Sequence, residues 1–302
     1  MNHAGRSPRQ PHPRRRRPSP RRVTTVTGAL LSLFALLLAL PAAASAATND
    51  SGSSPASVTT SHDHVTHPQL DWAGSTIPSH EGGGAHGGTV TPDATLTSGM
   101  DVSAYQGSVN WTTAWNNGGR FAYVKATEST TYTNPDFTQQ YDGSYDVGMI
   151  RGAYHFATPD TSGGAAQADY FVSHGGGWSG DGKTLPPMLD IEYNPYGAEC
   201  YGLSQSGMVS WISAFVNEVH ARTSRWATIY TTTDWWTTCT GNSSAFAGND
   251  PLFIARYSSS PGTLPAGWGY YTFWQYADSG TFPGDQDYFN GAYDRLQALA
   301  DG

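Results

Sequence analysis

Seven short apolar runs recur between residues 99 and 275, and they constrain the fold more than any other feature of the chain. They cover residues 99–103, 121–125, 149–154, 187–191, 227–231, 252–256 and 271–275. Each has the length and side-chain character of a strand. Polar and helical stretches separate the first five. The clearest helix spans 204–223: Ser204 is suited to cap it, and Met208, Trp211, Ile212, Phe215, Val216 and Val219 fall at helical spacing as a core-packing stripe. Residues 136–147 and 165–174 are weaker helical stretches. After Tyr230 the gaps shorten and no long amphipathic stretch appears. A chain that begins as βα repeats and ends β-rich is expected to close a parallel barrel whose later helices are reduced or lost.

Such a barrel gathers its functional residues at the C-terminal ends of its strands. Those ends supply Asp101, then Tyr154 and His155, then Asp190 and Glu192, then Tyr230, then Arg256 and Tyr257, and last Trp274, Gln275 and Tyr276. The fourth run is the most informative. Alternation along Leu185–Tyr193 puts Met188, Asp190 and Glu192 on one face and Leu189 and Ile191 on the other. Carboxylates are costly to hold beside an apolar interior, so a pair there is a candidate catalytic site. A strand that frays into a charged loop is the plainer reading, because short D-x-E matches are common. Acids and aromatic rings meeting at one mouth suit a sugar polymer: rings pack on sugar faces and carboxylates carry out glycosidic chemistry.

The first third of the chain reads differently. Eight of the sixteen basic residues are arginines within residues 1–22. An apolar run from Ala29 to Leu40 and the small-residue site Ala44-Ser45-Ala46 follow, which together read as a secretory signal peptide over 1–46. The run is short for a membrane span, so no membrane association is expected after cleavage. Arg21-Arg22 hints at the twin-arginine route. Residues 47–97 are rich in Ser, Thr, Gly and His and contain no Lys or Arg, the composition of a disordered linker or pro-segment. His62, His64 and His67 cluster there, but the surrounding chain offers little to support a metal site. Residues 98–302 have the size of one domain. Cys200 and Cys239, the only cysteines, are expected to form a disulfide in an exported protein.

The quoted strand ends belong to longer segments that resemble a known family. Gly99-Met100-Asp101-Val102-Ser103-Ala104-Tyr105-Gln106-Gly107, Tyr123-Val124-Lys125-Ala126-Thr127-Glu128, Arg151-Gly152-Ala153-Tyr154-His155-Phe156, Met188-Leu189-Asp190-Ile191-Glu192, Trp274-Gln275-Tyr276 and Asp285-Gln286-Asp287-Tyr288-Phe289-Asn290-Gly291 occur in the order found in the Chalaropsis-type lysozymes, glycoside hydrolase family 25. The chain looks most like the secreted actinobacterial branch. The resemblance implies an α/β fold, an irregular TIM-like β/α barrel of about five βα units followed by extra strands. It implies hydrolysis of the β-1,4 bond between N-acetylmuramic acid and N-acetylglucosamine in peptidoglycan, without a cofactor or metal, by a secreted monomer. It makes Glu192 the proton donor and Asp190 its neighbouring carboxylate. Asp101 and Asp285 are the further acids, with Asp287 an alternative to Asp285. Tyr105, Tyr154, His155, Tyr193, Tyr230, Trp274 and Gln275 are the expected sugar-binding residues.

Other classes fit less well. A chitin-active hydrolase also uses D-x-E at a fourth barrel strand, but the fuller D-x-x-D-x-D-x-E run is absent. A non-catalytic wall-binding module would not need Asp101, Asp190 and Glu192 together. A metal-dependent amidase is short of histidines, since 98–302 contains only His155, His174 and His220. Loss of the eight N-terminal arginines would leave 8 basic against 24 acidic residues, near −16, which excludes a phosphate-binding, nucleic-acid role. So acidic a chain is repelled by an anionic cell wall at low salt. The rate of wall lysis is therefore expected to rise with moderate ionic strength; a steady fall with added salt in a turbidity assay would contradict this.

Overall fold

Strand alternation divides the chain's large side chains between the inside and the outside of a closed barrel. The computed structural model describes residues 65–82 and 95–302. The expected signal peptide, together with His62 and His64, lies outside them. The strands are β1 (Thr97–Val102), β2 (Phe121–Glu128), β3 (Tyr132–Thr133), β4 (Ile150–Phe156), β5 (Met188–Asp190), β6 (Thr228–Thr231), β7 (Leu252–Ala255), β8 (Phe273–Ala277) and β9 (Asp285–Phe289). The sheet order is β1-β9-β8-β7-β6-β5-β4-β2-β3, and β1 also pairs with β2, so eight strands close a barrel with β3 as an appendage. Pairing is parallel from β1 through β2, β4, β5, β6, β7 and β8. Within the barrel β9 alone runs the other way, antiparallel to both β8 and β1, and the appended β3 is antiparallel to β2.

The helices follow the expected gradient. α1 (Ile77–Glu81) precedes the barrel; α2 (Trp111–Asn116), α3 (Phe137–Asp146), α4 (Gly164–Ser173), α5 (Gln205–Thr223) and α6 (Thr233–Thr240) are the five crossovers; α7 (Tyr293–Asp301) follows the last strand. No helix connects β7 to β8 or β8 to β9. The seven expected strands and the three expected helices are all present. Ser204 caps α5 by accepting from the Gly207 N–H at 3.2 Å. None of the helices among the described residues is long and apolar enough to cross a membrane.

Inside the barrel lie Phe121, Tyr123, Tyr154, Met188, Tyr230, Phe253, Phe273 and Phe289. Ala73 and Ile77 join this cluster from the N-terminal segment, and Leu296 and Ala300 join it from α7. Outside, Leu189, Ile191, Ile229, Ile254 and Trp274 pack against α4, α5 and α6. A second outer layer sets Met100, Val102, Ala122 and Val124 against α2. Cys200 and Cys239 are joined, with Cα atoms 5.3 Å apart, tying the loop after β5 to α6.

α4 and α5 cross where a side chain is missing. A Cβ on Gly164 would stand 2.2 Å from the Trp211 carbonyl oxygen and 2.9 Å from the Phe215 nitrogen. Both are backbone atoms and cannot rotate away. Gly164→Ala is expected to push the helices apart and cost about 1–3 kcal/mol, the range for overpacking a dense interior. Chemical denaturation would measure this, and a variant as stable as the parent would refute the crossing.

Candidate active site

The parallel strands end at one mouth, and five carboxyl groups meet there. Asp101 is the penultimate residue of β1, Asp190 ends β5, Glu192 follows it by two residues, and Asp285 and Asp287 come from β9. All five are buried. Because β9 is antiparallel, its first residue, not its last, reaches the mouth, and Asp285 sits directly opposite Asp101 in the ladder. Asp287 shares that face one step deeper, opposite Gly99.

Gln275 joins two of these acids. Its Oε1 accepts from the Tyr230 hydroxyl at 2.7 Å, which fixes which end of the amide carries the donors. Its Nε2 then lies 2.8 Å from Asp101 Oδ2 and 2.9 Å from Asp285 Oδ2. Neither Asp190 oxygen meets an amide N–H or an alcohol O–H; its hydrogen-bonding neighbour is the Glu192 carboxyl. Burial, and then the Glu192 charge, raise its pKa well above the usual carboxylate range, with Lys125 pulling the other way. Burial lifts Asp101 to about 7 against the Gln275 hydrogen bond. Asp285 and Asp287 are raised strongly, by burial first and then by Asp101.

Glu192 is held by a segment from outside the barrel. Its Oε1 accepts from the Gly74 N–H at 2.6 Å and its Oε2 from the Thr76 hydroxyl. Burial raises Glu192 to about 7, while the Thr76 and Gly74 hydrogen bonds oppose that rise. Residues 65–82 also touch other groups of the mouth. Ala73 donates to the Tyr154 hydroxyl at 3.3 Å and accepts from Gln275 Nε2 at 2.8 Å. Tyr257 donates to the Gly74 carbonyl at 3.1 Å. Buried Lys125 reaches the Pro68 and Asp71 carbonyls and pairs with Glu128. Trp72 packs on Tyr105, His80 stacks on Tyr193, and the Tyr193 hydroxyl reaches Glu81.

Of the expected sugar-binding residues, Tyr105, Tyr154, Tyr193, Tyr230 and Gln275 therefore meet at the mouth. His155 and Trp274 do not. His155 is on the helix side of the sheet, between Phe171 and Phe215, with Thr127 on Nδ1 at 2.7 Å and Gln167 on Nε2 at 2.9 Å. Trp274 packs outside the barrel with Tyr271 and Tyr288 and donates to the Arg256 carbonyl. The reason is the period of two: Tyr154 takes the inward place on β4, and Phe273 and Gln275 take those on β8. Lys125, Glu128 and Tyr196 belong to the mouth without having been expected there. Tyr196 links Asp71 to Glu128. The signal was a lysine and a glutamate three residues apart inside an apolar strand.

Buried carboxyls that keep their protons above the ordinary range bind protons that the unfolded chain has already released. Their stabilisation is complete below about pH 4 and is lost as pH rises toward 7, by up to about 1.4 kcal/mol per pH unit for each group. His155 runs the other way. Burial lowers it from 6.5 to about 3, so it erodes stability between those values as pH falls. Five carboxyls outweigh one imidazole. The melting temperature is expected to be higher at pH 5 than at pH 7.5, as scanning calorimetry would show; the reverse order would contradict the burial of these acids.

Comparison with known proteins supplies the family. The profile of glycosyl hydrolases family 25 matches residues 100–285. An N,O-diacetylmuramidase of Chalaropsis sp is 51% identical over 208 residues, 68% of this chain and 99% of that protein. Lysozyme M1 of Streptomyces globisporus is 48% identical over 233 residues, 75% of this chain and 79% of that protein. The solved muramidase from Acremonium alcalophilum is 61% identical, with a TM-score of 0.67 over 68% of this chain and 99% of that one. The similarity thus spans fungal and streptomycete proteins alike. On the family profile and these identities, the chain belongs to glycosyl hydrolase family 25 and is a glycoside hydrolase.

Proposed function

We propose that this enzyme is a secreted lysozyme that cuts the β-1,4 bond between N-acetylmuramic acid and N-acetylglucosamine in bacterial peptidoglycan, outside the cell. The observation that carries the reading is the meeting of Asp190 and Glu192 with Asp101 and Asp285 at the C-terminal mouth of the barrel. The muramidase relatives at about half identity support the substrate. Because two of them are N,O-diacetylmuramidases, muramic acid with an added O-acetyl group belongs to the proposed substrate range.

Glycosidic cleavage needs an acid for the leaving oxygen and a group to stabilise the positive anomeric carbon. Glu192 is the acid. Burial in a dry mouth favours its protonated form. Asp190 orients the substrate's acetamido group, whose oxygen attacks the anomeric carbon as the glycosidic bond breaks and Glu192 gives up its proton. Water then opens the cyclic intermediate and returns a proton to Glu192, leaving the configuration retained. Asp190 and Glu192 share one face, which leaves little space between them for an inverting water. Asp101 and Asp285, joined through Gln275, hold the sugar.

Glu192→Gln should lower turnover of peptidoglycan by several orders of magnitude with folding intact, and Asp101→Asn and Asp190→Asn should each lose activity. NMR of the first-formed anomer should show retention. An inverted product would exclude the acetamido route, and near-normal turnover by Glu192→Gln would remove Glu192 from the reaction. Faster release of reducing sugar from chitin than from peptidoglycan would favour a chitinase-like enzyme instead.

A further inference from the structure

Residues 65–82 lie against the groups the reaction needs, and their fit is specific to the main chain. Gly74 has φ +93°, a left-handed conformation, and a Cβ on it would stand 2.2 Å from the Tyr257 hydroxyl, 2.6 Å from Gln275 Oε1 and 2.7 Å from the Tyr230 hydroxyl. Only a residue without a side chain enters this deep. The peptide unit between Ala73 and Gly74 presents a carbonyl to Gln275 and an N–H to Glu192. A carbonyl joined to an N–H is also what a sugar's acetamido group presents. A linker passing over the mouth would need neither the bare glycine nor this match.

We propose that residues 65–82 are a built-in inhibitor, with Ala73 and Gly74 standing in for an acetamido sugar beside Glu192, and that hydrolysis requires this segment to leave the mouth. The proposal rests on Glu192 as the acid. The segment blocks the reaction in two ways. It occupies the space of the substrate, and it places an N–H on one Glu192 oxygen and an O–H on the other. With both oxygens engaged by the segment, neither can reach a leaving glycosidic oxygen. Anchors on either side hold the plug: Lys125 on the carbonyls of Pro68 and Asp71, and Tyr193 on His80 and Glu81.

The barrel and the plug are separable among relatives. The match to the Chalaropsis protein is 208 residues long, the length of residues 95–302, and takes in 99% of that protein. That relative has room for the barrel and for no counterpart of the segment. The match to Lysozyme M1 covers 75% of this chain, more than the barrel supplies, and so reaches into the region before it.

The test uses purified protein that retains residues 65–82, with soluble peptidoglycan glycan as substrate. Gly74→Leu cannot seat, and it should raise kcat/KM by about tenfold or more, the reciprocal of the parent's open fraction. Thr76→Val removes one donor from Glu192 and should give a smaller rise. A synthetic peptide of residues 65–82, added to Gly74→Leu, should raise KM and leave kcat unchanged; the same peptide with Leu at position 74 should do nothing. Parent, Gly74→Leu and Thr76→Val with equal kcat/KM, or a wild-type peptide that fails to compete, would overturn the proposal. If Gly74→Leu does not fold, Thr76→Val with and without peptide decides. Adding Glu192→Gln to Gly74→Leu separates the two readings. Activity that survives this change refutes the acid assignment and leaves the activation standing. Activity abolished by Glu192→Gln, without activation by Gly74→Leu, does the opposite.

Discussion

Five carboxyl groups crowded into one dry barrel mouth are the constraint on which the rest of the structure depends. Asp101, Asp190, Glu192, Asp285 and Asp287 are all buried, and isolated charges there would be costly. The fold answers by sharing donors and by retaining protons. Gln275 serves Asp101 and Asp285 from one amide whose direction Tyr230 fixes. Asp190, set against the Glu192 carboxyl and buried, is pushed toward its neutral form. The mouth is thus stocked with protons at pH values where exposed carboxyls have lost theirs, the condition that acid-assisted glycosidic cleavage requires.

Much of this was legible in the sequence. Seven apolar runs gave seven strands, and the thinning of helices after Tyr230 matched the missing crossovers between β7, β8 and β9. The D-x-E alternation placed Met188 inside the barrel and Leu189 and Ile191 outside it. What failed was finer. His155 and Trp274 neighbour inward-facing residues in sequence, and strand ends taken as pairs hide which member turns in. Asp285–Phe289 did not read as a strand, because its charged and polar residues mask its pairing on both sides.

The segment before the barrel was the least legible part. By composition, residues 47–97 read as linker or pro-segment, since they offer few large apolar side chains. Much of the grip of their described portion is main-chain: two carbonyls on Lys125, one on Gln275, one on Tyr257 and an N–H on Glu192, beside side-chain contacts from Asp71, Trp72, Thr76, His80 and Glu81. Hydrogen bonds made by backbone leave almost no mark on residue choice. Gly74 and Ala73 are buried at the centre of the contact, and small residues do not announce themselves in a Gly- and Ser-rich stretch.

The reversed last strand has one more consequence. β1 pairs with β9 in a ladder that joins Thr97 to Phe289, almost the full length of the barrel sequence. Contacts between such distant residues form late, after the intervening units have ordered. Asp101 and Asp285 face each other across that seam, with Gln275 beside them. The meeting of Asp101 and Asp285 therefore comes into being as the ring shuts, to complete a site whose Asp190 and Glu192 already share one short segment. Competence to cut a glycan is acquired all at once, as a property of closure and of no single segment.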